Sequence, residues 1–209
     1  MLKWKEQIFV FDDFLSDQEQ QLLETKFLGN QPQWTFIDDV SGSDGSSKLR
    51  PGFNHQLFTH GQKRSQLFDN AMDMVQKAIS RLYQETHEKN DFRLEKSRAF
   101  LQVPLANLEG SEYDNHHIDY VSPHIAVLYY VCDADGETVL FEQMYDHKRS
   151  ASPPSPSELV EKIRVKPKRG RVVIFDGFRW HTATQPKLCK ARCVINTNLA
   201  LADPSKYWS

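Results

Sequence analysis

His117 and Asp119 stand one residue apart in the run Asp114-Asn115-His116-His117-Ile118-Asp119-Tyr120, and His181 follows Asp119 by 62 positions. In an extended strand residues i and i+2 point to the same face. An imidazole at 117 and a carboxylate at 119 can therefore close on one metal ion while Ile118 turns into the core. For His181 to complete the triangle, segments far apart in sequence must meet at one end of the fold. Two histidines and one carboxylate on a single face of a metal leave the opposite coordination positions open. His116 is one residue out of phase with Asp119, so strand geometry turns it from the metal toward solvent or a supporting position. His55, His60, His87, His124 and His147 lack matched carboxylates and are read as ordinary histidines.

The texture around these residues is that of a β fold. From Phe92 onward, short β-branched and aromatic runs are divided by turns, and the best strands span 98–103, 125–131, 139–141, 163–165, 172–175 and 193–199. Their number, with the long gap between Asp119 and His181, fits a jelly roll: two facing sheets with the ligands inside one open end. The N-terminal part reads as helical. Ser16-Asp17-Gln18-Glu19 is a capping box that starts a helix through Leu22, Leu23 and Phe27, ending near Gly29-Asn30. A second helix, over about 65–85, carries Leu67, Phe68, Ala71, Val75, Ala78, Ile79 and Leu82 as one apolar stripe, expected to lie on the outer face of a sheet. The expectation is a single domain over 1–209, mainly β with flanking α-helices: a helical support over 1–90 and a jelly-roll core over 91–209. Segment 41–47 has the composition of a loop, and 150–157, rich in Pro and Ser, reads as a surface connection with a lid as the minority reading.

These features resemble the 2-oxoglutarate and iron(II)-dependent oxygenases, and among them the prolyl-4-hydroxylase-like branch. Ile8-Phe9-Val10-Phe11-Asp12-Asp13-Phe14-Leu15-Ser16 is similar to that branch's opening strand and turn. Val127-Leu128-Tyr129-Tyr130-Val131, with Gly136-Glu137-Thr138-Val139-Leu140-Phe141, resembles its paired pocket strands. Pro167-Lys168-Arg169-Gly170-Arg171-Val172-Val173-Ile174-Phe175-Asp176 runs into Trp180-His181, and Arg192 follows His181 by eleven positions. The resemblance implies a double-stranded β-helix, with iron(II) on His117, Asp119 and His181 and the distal carboxylate of 2-oxoglutarate on Arg192 and Tyr130. Thr138 and Asn198 would line the same pocket. A guanidinium suits that place, because its planar fork pairs with a carboxylate and stays charged when buried. Lys190, two residues back, is the competitor on strand alternation, and core packing is the plain alternative for Tyr130. The chain departs from the family's pattern at Asp135-Gly136, where many members have two glycines, and at Leu105-Ala106-Asn107, where many have a tyrosine.

The implied reaction is hydroxylation of an unactivated C–H bond with O2 as cosubstrate, release of succinate and CO2, and ascorbate as a reductant. The resemblance points to a prolyl or other peptidyl substrate, with a small-molecule hydroxylase as the alternative. Asp119 favours hydroxylation over halogenation, which needs that coordination site for a halide. Relatives that act on nucleobases carry a second Arg where this chain has Asn198, which argues against base repair. Two rivals stay open: a non-catalytic jelly roll that binds metal or ligand, which explains Arg192 and Tyr130 poorly, and a zinc hydrolase, for which no general base is visible.

Composition narrows the setting. A net charge of −2 and a pI near 6.4 give no electrostatic footprint for nucleic acid. The cations between Lys162 and Arg171 read as a solvated strand edge and turn. Cys132, Cys189 and Cys193 are odd in number and show no CxxC spacing, which points to a reducing, cytoplasmic setting. Neither a secretory signal nor an apolar run of membrane-spanning length is seen, and the sequence leaves the oligomeric state open.

Overall fold

The computed structural model describes residues 2–38, 40, 50–105, 113–147 and 153–208. Segment 41–47 and the first part of 150–157 lie outside the described residues.

Three strands dominate the core: β6 (His124–Tyr130), β9 (Val172–Asp176) and β11 (Arg192–Leu201), buried along their whole length. Apolar residues on both faces are what a strand covered on both sides requires. On β6 the alternation assigns them: Ile125, Val127 and Tyr129 join a cluster with the helices, while Ala126, Leu128 and Tyr130 pack inward. An antiparallel sheet runs β1 (Ile8–Phe11), β9, β6, β11, β5 (Phe92–Gln102), β3 (Gly52–Thr59), β2 (Thr35–Ile37), with β4 (Gln62–Lys63) paired to β3. A smaller sheet, β10 (Arg179–Ala183), β7 (Thr138–Met144), β8 (Glu161–Val165), faces it. Leu140 and Val165 meet Leu128, Val173 and Val194 between the two. The architecture is a double-stranded β-helix.

Helix α1 (Asp17–Leu28) starts at Ser16, whose hydroxyl accepts from Glu19 N while the Glu19 carboxylate accepts from Ser16 N, as the capping box requires. Helix α2 (Phe68–Thr86) lays Ala71, Val75, Ala78 and Leu82 against the same sheet face that Leu23 and Phe27 of α1 cover. Both helices thus sit on one outer face of the large sheet. Residues 1–90 are not helical support alone, because β1 and β3 extend that sheet from the N-terminal part. No helix among the described residues is long and apolar enough to cross a membrane.

Candidate metal centre

His181 sits in the middle of β10. Its backbone exchanges two hydrogen bonds with His117, His117 N to His181 O at 2.9 Å and His181 N to His117 O at 3.0 Å. Nearby, Asp114 N donates to Ala183 O at 2.8 Å and the Thr182 hydroxyl to Asp114 O at 2.7 Å. The HxD segment therefore lies on an irregular span pinned by isolated bridges, where the sequence suggested a continuous strand. The expected facing survives. His117 Nε2 lies 3.9 Å from Asp119 Oδ1, His181 Nε2 lies 3.7 Å from Asp119 Oδ2, and all three ligand atoms fall within 4.8 Å of one another. Ile118 packs with Val139, Phe141 and Trp180, and His116 turns elsewhere, its Nε2 at 2.7 Å from Pro154 O.

Local hydrogen bonds orient both imidazoles. His117 Nδ1 lies 3.0 Å from Asn115 O and His181 Nδ1 lies 3.0 Å from Arg179 O. A carbonyl can only accept, so Nδ1 carries the proton in each ring and Nε2 offers its lone pair. Burial, reinforced by His117, lowers His181 to about 4 despite Asp119, so it is neutral at pH 7. Burial alone would raise Asp119; His181, Arg98, His117 and the Asn196 hydrogen bond hold it far below the usual carboxylate range. Its Oδ1 accepts from Arg98 at 3.3 Å, and its Oδ2 from Asn196 at 3.0 Å and Asn198 at 2.9 Å. Two imidazole Nε2 donors and one oriented carboxylate suit a divalent first-row metal, iron(II) included.

The triad opens on a cavity between the sheets, lined by His117, His181, Arg98, Asn196, Thr138 and Arg192 among others. Arg192 begins β11 and is buried. Its Nε donates to Gly136 O, Nη1 to Gln102 Oε1 and Nη2 to Thr138 Oγ1, each at 2.9 Å. Lys190, on the turn before β11, is exposed. Gly136 has no room for a side chain: a Cβ there would lie 2.7 Å from Thr184 O and 2.9 Å from Pro186 N. Tyr130 is fully buried behind Thr138, its hydroxyl donating to Thr138 Oγ1 at 2.7 Å. Asn198, expected in the Arg192 pocket, instead grips Asp119, and Asn196 is the asparagine on the chamber wall. The register of β11 against β5 explains the exchange, since Asn198 lies opposite Lys96, six positions along the strand from Arg192.

Arg98, Asn196 and Gln102 were not singled out from sequence. Arg98 had a usable signal, because it opens a predicted strand in the same alternation phase as Phe100. The buried Arg50–Asp114 pair, 3.1 Å apart, had none, its partners lying in segments of no regular pattern.

No family model and no curated protein sequence matches the chain. Solved structures do. A viral collagen prolyl hydroxylase from Paramecium Bursaria Chlorella virus-1, in complex with 2-oxoglutarate, superposes with a TM-score of 0.55 at 15% identity, over 96% of this chain and 99% of that one. A prolyl hydroxylase from Trichoplax adhaerens, in complex with a hypoxia inducible factor peptide fragment, gives 0.57 at 14% identity, over 98% and 88%. The α-ketoglutarate-dependent carbocyclase SnoK from nogalamycin biosynthesis gives 0.64 at 12% identity, over 97% and 82%. The chain has the fold of the 2-oxoglutarate and iron(II)-dependent oxygenases and gathers a His-Asp-His metal triad inside it.

Proposed function

We propose that residues 1–209 form one catalytic domain, a 2-oxoglutarate- and iron(II)-dependent dioxygenase that hydroxylates an unactivated C–H bond. His117, Asp119 and His181 hold the iron(II), and Arg192 takes the distal carboxylate of 2-oxoglutarate. One observation carries this reading. His117 and His181, with Asp119 within 4.8 Å of both, share with a buried arginine the wall of one cavity, which is what a metal-chelating diacid needs and a metal-only site does not.

Bound iron(II) supplies the activation of O2, coupled to conversion of 2-oxoglutarate to succinate and CO2 and to insertion of oxygen into the C–H bond, with ascorbate as reductant. The chain supplies position. Asn196 and Asn198 fix the Asp119 carboxylate, and the Nδ1–H bonds of His117 and His181 fix the rings. Arg192, already aimed by Gly136, Gln102 and Thr138, meets its ligand with little loss of side-chain freedom. Thr138 Oγ1 accepts from both Arg192 and Tyr130, which leaves its own proton for the same carboxylate. Tyr130 supports through Thr138. The apolar wall of Phe100, Leu128 and Val194 keeps water from the middle of the chamber.

The substrate is read as a prolyl or other peptidyl group, supported by the peptide that the Trichoplax structure carries. A small-molecule substrate is the second reading, favoured by the likeness to SnoK at a higher TM-score. The test is anaerobic titration of the iron(II)-loaded protein with 2-oxoglutarate, followed by the visible charge-transfer band of bidentate chelation. A band that is lost in His181→Ala and in Arg192→Ala supports the function. Bound metal without any band sinks it and leaves a metal-binding jelly roll.

A further inference from the structure

β5 and β11 run side by side and face one another in pairs: Gln102 with Arg192, Phe100 with Val194, Arg98 with Asn196, Lys96 with Asn198. The first three pairs line the triad chamber, and the fourth lines a groove that adjoins Asp119. Along the strands the wall is therefore cationic at Arg192, apolar at Phe100 and Val194, and cationic again at Arg98 and Lys96. Four residues of strand, roughly 13 Å, separate the Arg192 position from the Arg98 pair. A five-carbon diacid whose far end sits on Arg192 does not use both arginines for that one carboxylate.

Charge bookkeeping makes the second cationic layer stand out. With the cosubstrate bound as proposed above, Arg192 matches its distal carboxylate, and the two charges of iron(II) are matched by Asp119 and the proximal carboxylate. Arg98 and Lys96 are left over. Arg98 holds Asp119 through Nη2 at 3.3 Å, its Nε has no acceptor among the described residues, and its guanidinium lies 4.3 Å over the Phe100 ring. Lys96 is partly buried and pairs with no carboxylate among the described residues. Two half-buried cations beside one carboxylate leave a net positive charge on this wall that an incoming anion would match.

We propose that Arg98, with Lys96 beside it, receives a carboxylate of the substrate, so that the substrate is an organic acid hydroxylated at a C–H bond close to that group. This rests on the dioxygenase reading and narrows it. Interior peptide bonds are neutral, so a peptidyl substrate would present a C-terminal or side-chain carboxylate here. Arg98 then acts as a specificity residue, its planar fork distinguishing an acid from the isosteric amide.

The experiment uses two matched pools, free amino acids, dipeptides and small hydroxy acids on one side and the same compounds as primary amides on the other. The redox-inert protein loaded with zinc(II) and 2-oxoglutarate is read by thermal shift, and the iron(II) protein by succinate released above the substrate-free rate. The acid pool is expected to raise the unfolding midpoint where the amide pool does not. It should also exceed the amides in succinate release by about tenfold or more, the scale of one charge-assisted hydrogen bond. That ratio should fall to near one in Arg98→Gln and return in part in Arg98→Lys. Equal pools, no response to either, or an unchanged ratio in Arg98→Gln overturns the proposal. So does an Arg98→Gln protein that needs more 2-oxoglutarate for its visible band yet keeps the acid preference, because Arg98 then serves the cosubstrate. Absence of the band in the unaltered protein removes the dioxygenase reading itself, and is seen before any acid is added.

Discussion

Arg192 Nη2 donates to Thr138 Oγ1 at 2.9 Å, and that oxygen also accepts from Tyr130 at 2.7 Å. A hydroxyl that accepts twice has its single proton left to give, and the chamber lies in front of it. Thr138→Val keeps the shape and removes the hydroxyl. It is expected to weaken 2-oxoglutarate by about 10- to 100-fold, the value of a hydrogen bond to a charged group. Thr138→Ser should stay close to the unaltered protein, and Tyr130→Phe should cost less than Thr138→Val because its hydroxyl reaches the cosubstrate only through Thr138. Anaerobic titration of the iron(II) protein measures all three, and a Tyr130→Phe loss larger than that of Thr138→Val would place Tyr130 in direct contact.

Arg192→Met tests the far end of the chamber. The substitution keeps bulk but leaves Gln102 Oε1 and Gly136 O without their donor. The 2-oxoglutarate concentration for half saturation should rise by at least about 100-fold, as expected when one partner of a buried charge pair is cut away. Iron(II) binding should change little, because no triad ligand contacts this guanidinium. Parallel loss of metal in Arg192→Met would show that the two ends of the chamber are not independent.

How far the sequence could carry this site depends on where each residue's orientation comes from. β6, β9 and β11 were legible because strands buried on both faces must be apolar throughout. β3 was not, since Asn54, His55 and Gln56 interrupt its apolar residues and the strand finds its place only by pairing with β5. β10 was hidden too: Arg179 is buried there with its Nη atoms donating to Phe141 O and Glu6 O, and His181 with its Nδ1 on Arg179 O. The metal ligands were readable through their spacing, which survives even off a regular strand. That Arg98, Asn196 and Asn198 converge on Asp119 was not, because strand alternation gives the face of each residue but not the cross-strand register that brings them to that carboxylate.

Asn196 and Asn198 each give Asp119 Oδ2 one hydrogen bond, at 3.0 and 2.9 Å. Each fixes the carboxylate in the orientation that directs it toward His117 and His181. Asn196→Ala and Asn198→Ala are each expected to lower metal affinity by about 10- to 100-fold, as for other groups that orient a ligand. The two together should lose more than either alone. Competition titration with cobalt(II) and a chromophoric chelator reads this without turnover, and full affinity in the double variant would mean that Arg98 alone suffices to orient Asp119.

Asp135 ties down the turn that delivers Arg192, its carboxylate accepting from the backbone N–H groups of Lys187, Leu188 and Cys189. Burial alone would raise its pKa, but the Cys189 thiol and these N–H groups outweigh it and hold the group at about 2, below the ordinary 3.8. A carboxyl with a depressed folded-state pKa binds its proton more readily when unfolded. Its stabilisation is complete above about pH 4 and drains away as pH falls from there toward 2. Because the group is partly solvated, the contribution is about 1 kcal/mol. Asp135→Asn should therefore unfold at lower temperature than the unaltered protein at pH 7, and the gap in midpoint should close as the two are compared at successively lower pH down to 2. A gap that persists undiminished at pH 2 would assign the loss to packing rather than to the charge on Asp135.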